Sequence, residues 1–213
     1  MVLRNSVTVT RYMYVDHSAR AQRAAVHRMQ QLHALYPDQF SIEAYEHALT
    51  TLPHDVWDIT EDDLHFAGAA DGQQWLVVAG WDCTDLSLAG KGQGFYGTKS
   101  RTFYPCMQIL SWLQQAQTSR PPGYLLENVA LHLNARSTLV QNHAAPVVLH
   151  ALGHPHDVDA AQFGSHAHRL RSFWTNLAHT HELQALLGCI RRSTSRTVES
   201  VLNPGCVVQP AQQ

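Results

Sequence analysis

The stretch Trp75-Leu-Val-Val-Ala-Gly-Trp-Asp-Cys-Thr-Asp-Leu-Ser87 constrains the fold more than any other. Its apolar residues run without alternation into a glycine. Such a run predicts a strand buried on both faces. Cys83 then lies just past the carboxyl end of that strand, the place where open α/β sheets bind ligands. A thiol there is either a nucleophile or a small buried residue.

The flanking sequence supplies further elements. Val7 to Val15 alternates as a strand does, with Asp16 at its end. Ser18 caps a helix whose stripe is Ala25, Met29, Leu32 and Tyr36, leaving Arg20, Arg23 and Arg28 to solvent. Ser41 to Leu52 reads as a second helix, and Thr60-Glu-Asp-Asp63 as the cap of another turn or helix. Phe103, Met107, Leu110 and Leu113 mark the next, broken by Ser119-Arg-Pro-Pro-Gly123. Tyr124 to Val129 is an apolar strand carrying Glu127 near its end, and a carboxylate there needs a partner or a task. Asn134 to Leu152 is mostly helical with an interruption at Pro146, Val158 to Ala161 is extended, and Arg171 to Leu177 is β-prone. From His179 onward the pattern loosens. This alternation predicts an α/β fold, an open and mostly parallel sheet with helices on both faces.

Composition narrows the function classes. With 213 residues, 45% hydrophobic and 15% charged, the chain can bury a substantial core. No window approaches the roughly 18 apolar residues of a membrane span. The four cysteines have neither paired nor ligand-type spacing and read as free thiols of a reducing compartment. A net charge of −2 is not the global signature of a nucleic-acid binder, so DNA contacts must come from local clusters. Seven of the 15 histidines gather at His150/His154/His156, His166/His168 and His179/His181, but no cysteine or carboxylate completes a ligand set, and no metal is expected.

Three stretches, in order, carry a resemblance: the Cys83 loop with its Asp85-Leu86-Ser87, then Glu127-Asn128-Val129, then His168-Arg169-Leu170-Arg171 with Phe173-Trp174 and Asn176-Leu177. Together they resemble the Pro-Cys, Glu-Asn-Val and Arg-x-Arg motifs of the DNA (cytosine-5) methyltransferases, in the form used by the de novo, domains-rearranged branch. The resemblance implies a Rossmann-like methyltransferase core that uses S-adenosylmethionine and acts on DNA inside the cell, in the nucleus if the source is eukaryotic. It assigns catalysis to Cys83, Glu127, Arg169 and Arg171. It assigns the cofactor to Asp16 for the ribose, Asp58 and Ile59 for the adenine, and Gly80. It makes Gly90 to Arg101 the loop after the catalytic cysteine, where Lys91, Lys99 and Arg101 meet phosphates. A solvated loop is the alternative. Arg191, Arg192 and Arg196 form a further basic group.

The chain also departs from the pattern. Nothing before Val7 resembles the family's glycine-rich cofactor loop, and no long region follows the Arg-x-Arg stretch. The expectation is a partial catalytic core over 1–178 and the start of a recognition-like region or tail over 179–213. Trp81-Asp82 replaces the usual small residue and proline. Aspartate is expected to loosen the loop and, by its charge, to disfavour the thiolate. The competing reading is an inactive scaffold or DNA-binding partner, alone or in an oligomer with active relatives.

Overall fold

The computed structural model describes residues 7–134, 136–165 and 167–191. The chain divides into two compact units, Met1–Trp75 with Thr102–Pro122 and Leu76–Arg101 with Gly123–Gln213. Both are discontinuous, and the crossings fall at 75/76, 101/102 and 122/123.

In the first unit, helix α1 (Ala19–Leu35) begins where Ser18 Oγ accepts from the Ala21 N–H, as the cap predicts. Its buried Met29 packs with Phe40, Ala44 and Ala48, and Ala25, Val26 and Leu32 close over them. Arg20, Arg23 and Arg28 are exposed. The Phe40 ring stacks on Tyr45 at 5.2 Å and meets the edge of Tyr12 at 5.9 Å.

Two expectations fail here for one reason. Residues 7–15 join no sheet, and 41–52 form successive turns instead of a helix. The N–H groups of Tyr12 and Tyr14 donate to the carbonyls of Ala44 at 2.6 Å and Ala48 at 2.8 Å. With those acceptors engaged sideways, the Ala48 N–H bonds Tyr45 at 2.9 Å and the four-residue helical ladder does not propagate.

Helix α2 (Glu61–Phe66) opens on a complete capping box between Thr60 and Asp63. Helix α3 (Phe103–Ala116) buries Phe103, Leu110 and Leu113, three of the four residues its spacing singles out. The Gln117 amide beyond it donates to the carbonyls of Ala69 and Gln73, fastening its end to the loop after α2.

The second unit holds a sheet of β1 (Leu76–Gly80), β2 (Gly123–Val129), β3 (His156–Asp159) and β4 (Leu170–Thr175), in the order β1-β2-β4-β3. The α/β class is as expected. The parallel arrangement holds at β1–β2, whereas β2–β4 and β3–β4 are antiparallel. Residues 160–169 between β3 and β4 are too few for the crossover of a dozen or more that parallel neighbours need. Strand β1 lies at the sheet edge, and Leu76 and Val78 are 42% and 67% exposed, so it is not buried on both faces. An unbroken apolar run fixes a strand but not what covers it.

A wide π-helical turn at Val140–Ala144 leads into α4 (Ala145–Leu152), and Pro146 falls in the first turn of α4. Residues 138–152 are one helical run, and the interruption expected at Pro146 takes the form of the π-helical widening directly before it, where the missing proline N–H and its ring disturb the regular ladder. Helix α5 (Thr180–Arg191) occupies a stretch where no element was expected. Leu183, Leu186, Leu187 and Ile190 carry its spacing, and Glu182 accepts from the His179 N–H at 3.0 Å. His166, Arg192 and Arg196 lie outside the described residues.

Candidate active site

Side-chain alternation gives the sheet two unlike faces. Leu126 and Asn128 on β2, with Ser172 and Trp174 on β4, are all buried on one face. Glu127 and Val129 point to the other, as does Arg171, which is the register partner of Val129. Glu127 and Arg171 are therefore diagonal neighbours across an antiparallel pair, within reach of long side chains. Arg171 Nε donates to Glu127 Oε1 at 2.9 Å, with the two side chains 20% and 37% exposed. Arg171 Nη1 also donates to the Leu170 carbonyl. The pair is thus oriented yet open to a ligand.

Gly80 is the register partner of Glu127 across β1–β2. A Cβ on Gly80 would lie 3.2 Å from Glu127 Oε2. Its lack of a side chain leaves the space that the carboxylate occupies. Three residues on, Cys83 is half-buried at the same end of the sheet.

The loop that carries Cys83 is held from both sides. Asn128, buried on the sealed face, donates through Nδ2 to the Trp81 carbonyl at 2.7 Å. The Trp81 and Trp174 rings lie 5.5 Å apart. The Cys83 carbonyl accepts from the N–H groups of Leu86 and Ser87. Asp82 does not loosen this loop: its Oδ1 accepts from the Thr84 N–H at 2.7 Å and from the Thr84 hydroxyl.

Asp85 anchors the rest of the loop. Its buried carboxylate accepts from the N–H groups of Lys99 and Ser100, and its own carbonyl accepts from Gly94. Any Cβ on Gly97 would fall inside the Asp85 carboxylate. Asn134 and Ser137 donate to the carbonyls of Leu86 and Gly92. Sequence reasoning missed Asn134, Ser137 and the buried role of Asp85. The apolar setting of Asp85, before Leu86, was the available signal.

Lys91, Lys99 and Arg101 are all exposed on this loop, and Arg101 Nε donates to the Phe95 carbonyl. Arg169 is not brought to the Glu127 carboxylate: its side chain is exposed and its N–H donates to Asp159. His168 also bonds Asp159, at 2.9 Å, and these donors hold the Asp159 carboxyl below its usual range. Burial pushes the Cys106 thiol up to about 11, which leaves it protonated at neutral pH.

The candidate cofactor residues lie in the first unit. Trp57 and Ile59, either side of Asp58, line an open cleft of about 270 Å³ together with Tyr104, Pro105, Gln108 and Trp112. Asp58 itself is exposed. Asp16 is not among the lining residues; its Oδ1 accepts from the Ser18 N–H at 2.7 Å, at the entrance to α1. Gly80 belongs to the second unit, against Glu127. Among the described residues there is no group of three or more His, Cys, Asp or Glu arranged to hold a metal, and no helix long and apolar enough to cross a membrane.

Comparison with known proteins agrees with this architecture. Over 54 residues the chain is 39% identical to the type II methyltransferase M.NgoBI of Neisseria gonorrhoeae, covering 25% of this chain and 15% of that protein. Over 78 residues it is 32% identical to M.Sau96I of Staphylococcus aureus, covering 34% and 17%. Over 93 residues it is 31% identical to M1.ScrFI of Lactococcus lactis subsp. cremoris, covering 43% and 21%. The matched stretches thus span about a fifth or less of each relative. These relatives are bacterial, so the leaning toward the de novo, domains-rearranged branch finds no support, nor does a nuclear location. Residues 27–200, most of the chain, match the family model, and the chain belongs to the C-5 cytosine-specific DNA methylase family.

Proposed function

We propose that this chain carries the catalytic centre of an enzyme that methylates carbon-5 of cytosine in DNA through a covalent bond to Cys83. The Glu127–Arg171 pair carries the reading, because it is formed, oriented and open at the sheet end that leads into the Cys83 loop. Cytosine carbon-5 is a weak nucleophile, and addition of the Cys83 thiolate at carbon-6 makes the ring enamine-like. Glu127 holds or delivers a proton at ring N3 as charge develops there. Arg171 keeps Glu127 in place and offers further guanidinium N–H groups to the ring carbonyl. Once carbon-5 carries the transferred methyl group, loss of its proton would re-form the carbon-5–carbon-6 double bond and expel Cys83 as thiolate. The target base must leave the stack to reach such a centre.

The cleft beside Asp58 supports the cofactor reading. Trp57, Tyr104 and Trp112 offer aromatic walls suited to a purine, and Ile59 adds an apolar contact. Asp58 would accept from the adenine amino group and Asp16 from ribose hydroxyls. S-adenosylmethionine, when bound, supplies an electrophilic methyl group. Lys91, Lys99 and Arg101 would meet phosphates, which gives affinity without base reading.

The test is nucleoside mass spectrometry of duplex DNA incubated with the chain and S-adenosylmethionine. The reading expects 5-methylcytosine from the wild type and none from Cys83→Ser or Glu127→Gln. Product formed equally by Cys83→Ser would defeat it. The competing scaffold reading expects DNA retention with no product from any form.

A further inference from the structure

The aspartate before Cys83 stands where this chain departs most from the motif it resembles, and its geometry is that of a restraint. Asp82 Oδ1 reaches past Cys83 to accept from the Thr84 N–H at 2.7 Å and from the Thr84 hydroxyl. The ring so closed contains the whole Cys83 backbone. On either side, Asn128 fixes the Trp81 carbonyl, and the Leu86 and Ser87 N–H groups fix the Cys83 carbonyl. Trp81 and Leu86, which bracket the segment, are both buried. The peptide groups before and after Cys83 are thereby pinned, and the direction of its Cα–Cβ bond with them.

A proline at this position would restrain the chain through its ring. An aspartate restrains it through an Asx turn, in which the side chain closes onto the backbone two residues on. Both donors meet the same carboxylate oxygen, so the negative charge is partly satisfied by the loop itself.

We infer that Asp82 is a positioning residue for Cys83, with Thr84 as its partner, and that the Asp82–Thr84 bonds replace the restraint of the family's proline. This rests on the reading of Cys83 as the nucleophile. The residue acts by geometry, through bonds an amide oxygen can equally accept. Asparagine should therefore replace it, whereas alanine should not.

The experiment uses the full chain and three readouts on wild type, Asp82→Asn, Asp82→Ala, Thr84→Ser and Thr84→Val. One is the rate of covalent trapping on a duplex containing 5-fluorocytosine, with S-adenosylmethionine present. The second is hydrogen exchange at the Thr84 amide. The third is the rate of Cys83 alkylation by iodoacetamide across neutral to mildly alkaline pH, located by peptide mapping. Because a small misplacement of a reacting group costs up to about a hundredfold in rate, Asp82→Ala, which removes both bonds, should slow trapping by about tenfold or more, and Thr84→Val, which keeps the Thr84 N–H bond, should slow it less. The double variant Asp82→Ala/Thr84→Val should be no worse than Asp82→Ala alone, since the aspartate's bonds include the one the threonine hydroxyl makes. Asp82→Asn and Thr84→Ser should keep trapping within about twofold of wild type and retain Thr84 amide protection, because the hydrogen bonds survive.

Equal trapping and equal Thr84 protection in Asp82→Ala and wild type would overturn the inference. So would an Asp82→Asn variant as slow as Asp82→Ala, which would make charge the operative property. If the wild type traps no duplex, the proposed function fails. The positioning role is then judged on the other two readouts: it stands if Asp82→Ala loses Thr84 protection and shifts the alkylation profile beyond the change that loss of charge alone gives in Asp82→Asn, with Asp82→Asn keeping that protection, and it falls otherwise.

Discussion

Replacing Gly80 by alanine tests how the Glu127 carboxylate is placed. The added Cβ would lie 3.2 Å from Glu127 Oε2 and 3.3 Å from the Glu127 backbone oxygen. That oxygen belongs to a residue registered in the β1–β2 ladder, so the side chain must give way by a few tenths of an ångström. Oε1 moves with Oε2, and the 2.9 Å bond to Arg171 is disturbed with it. A hydrogen bond to a charged group contributes about 1.5–3 kcal/mol at best, and the part exposure of this pair reduces the expected loss to about 1 kcal/mol. The effect on chemistry should be larger, about tenfold in trapping rate, because misplacing a reacting group is costly even when the fold survives. Trapping on 5-fluorocytosine duplex read on denaturing gels, beside urea unfolding of the same preparation, separates the two effects. An unchanged trapping rate in Gly80→Ala would refute the reasoning. If Gly80→Ala weakened only cofactor binding, Gly80 would be the cofactor residue that the resemblance implied.

Four further perturbations follow from the same geometry. Arg171→Lys should retain charge but lose the planar Nε contact, slowing trapping by about tenfold in gel assays while far-ultraviolet circular dichroism stays unchanged. Gly97→Ala forces a side chain into the Asp85 carboxylate and should lower the urea midpoint more than Gly80→Ala does. Asp159 has its carboxyl pulled down by His168 and by the Ala161 and Arg169 N–H groups. Its contribution is therefore present above the unfolded value and lost as pH falls through the lower folded one, and Asp159→Asn should flatten that acid limb in pH-dependent melts. Cys106, pushed up to about 11, should resist iodoacetamide near neutral pH until the chain is unfolded. Stability should also fall as pH rises from the unfolded thiol value toward about 11, a slope that Cys106→Ser removes.

How far the sequence foretold this structure depends on how local each signal was. Strand β2 is legible because its apolar run ends in Glu127, but the antiparallel register with β4 that puts Arg171 diagonal to it depends on a pairing that neither segment announces. Ser18 and the Thr60–Asp63 box are legible because a cap involves residues three apart. The errors sit where distant partners decide. Val7 to Val15 has strand alternation, but its N–H groups meet the turn carbonyls of Ala44 and Ala48, and nothing in either segment announces the other. Helix α5 has apolar spacing but little buried surface, with Leu186 and Ile190 exposed, so its signal is weak. The sequence shows the charge of Asp82 and the absence of a proline, whereas its function in the loop depends on where the Thr84 donors fall.

Peptide mapping of the complex trapped on a duplex carrying 5-fluorocytosine, with S-adenosylmethionine present, tests the central claim most directly, since fluorine blocks the loss that would free the enzyme. The account predicts the modified base on the peptide containing Cys83, no complex from Cys83→Ser, and undiminished complex from Cys106→Ser and Cys189→Ser. A base attached to Cys189, or complex formation that survives Cys83→Ser, would contradict it.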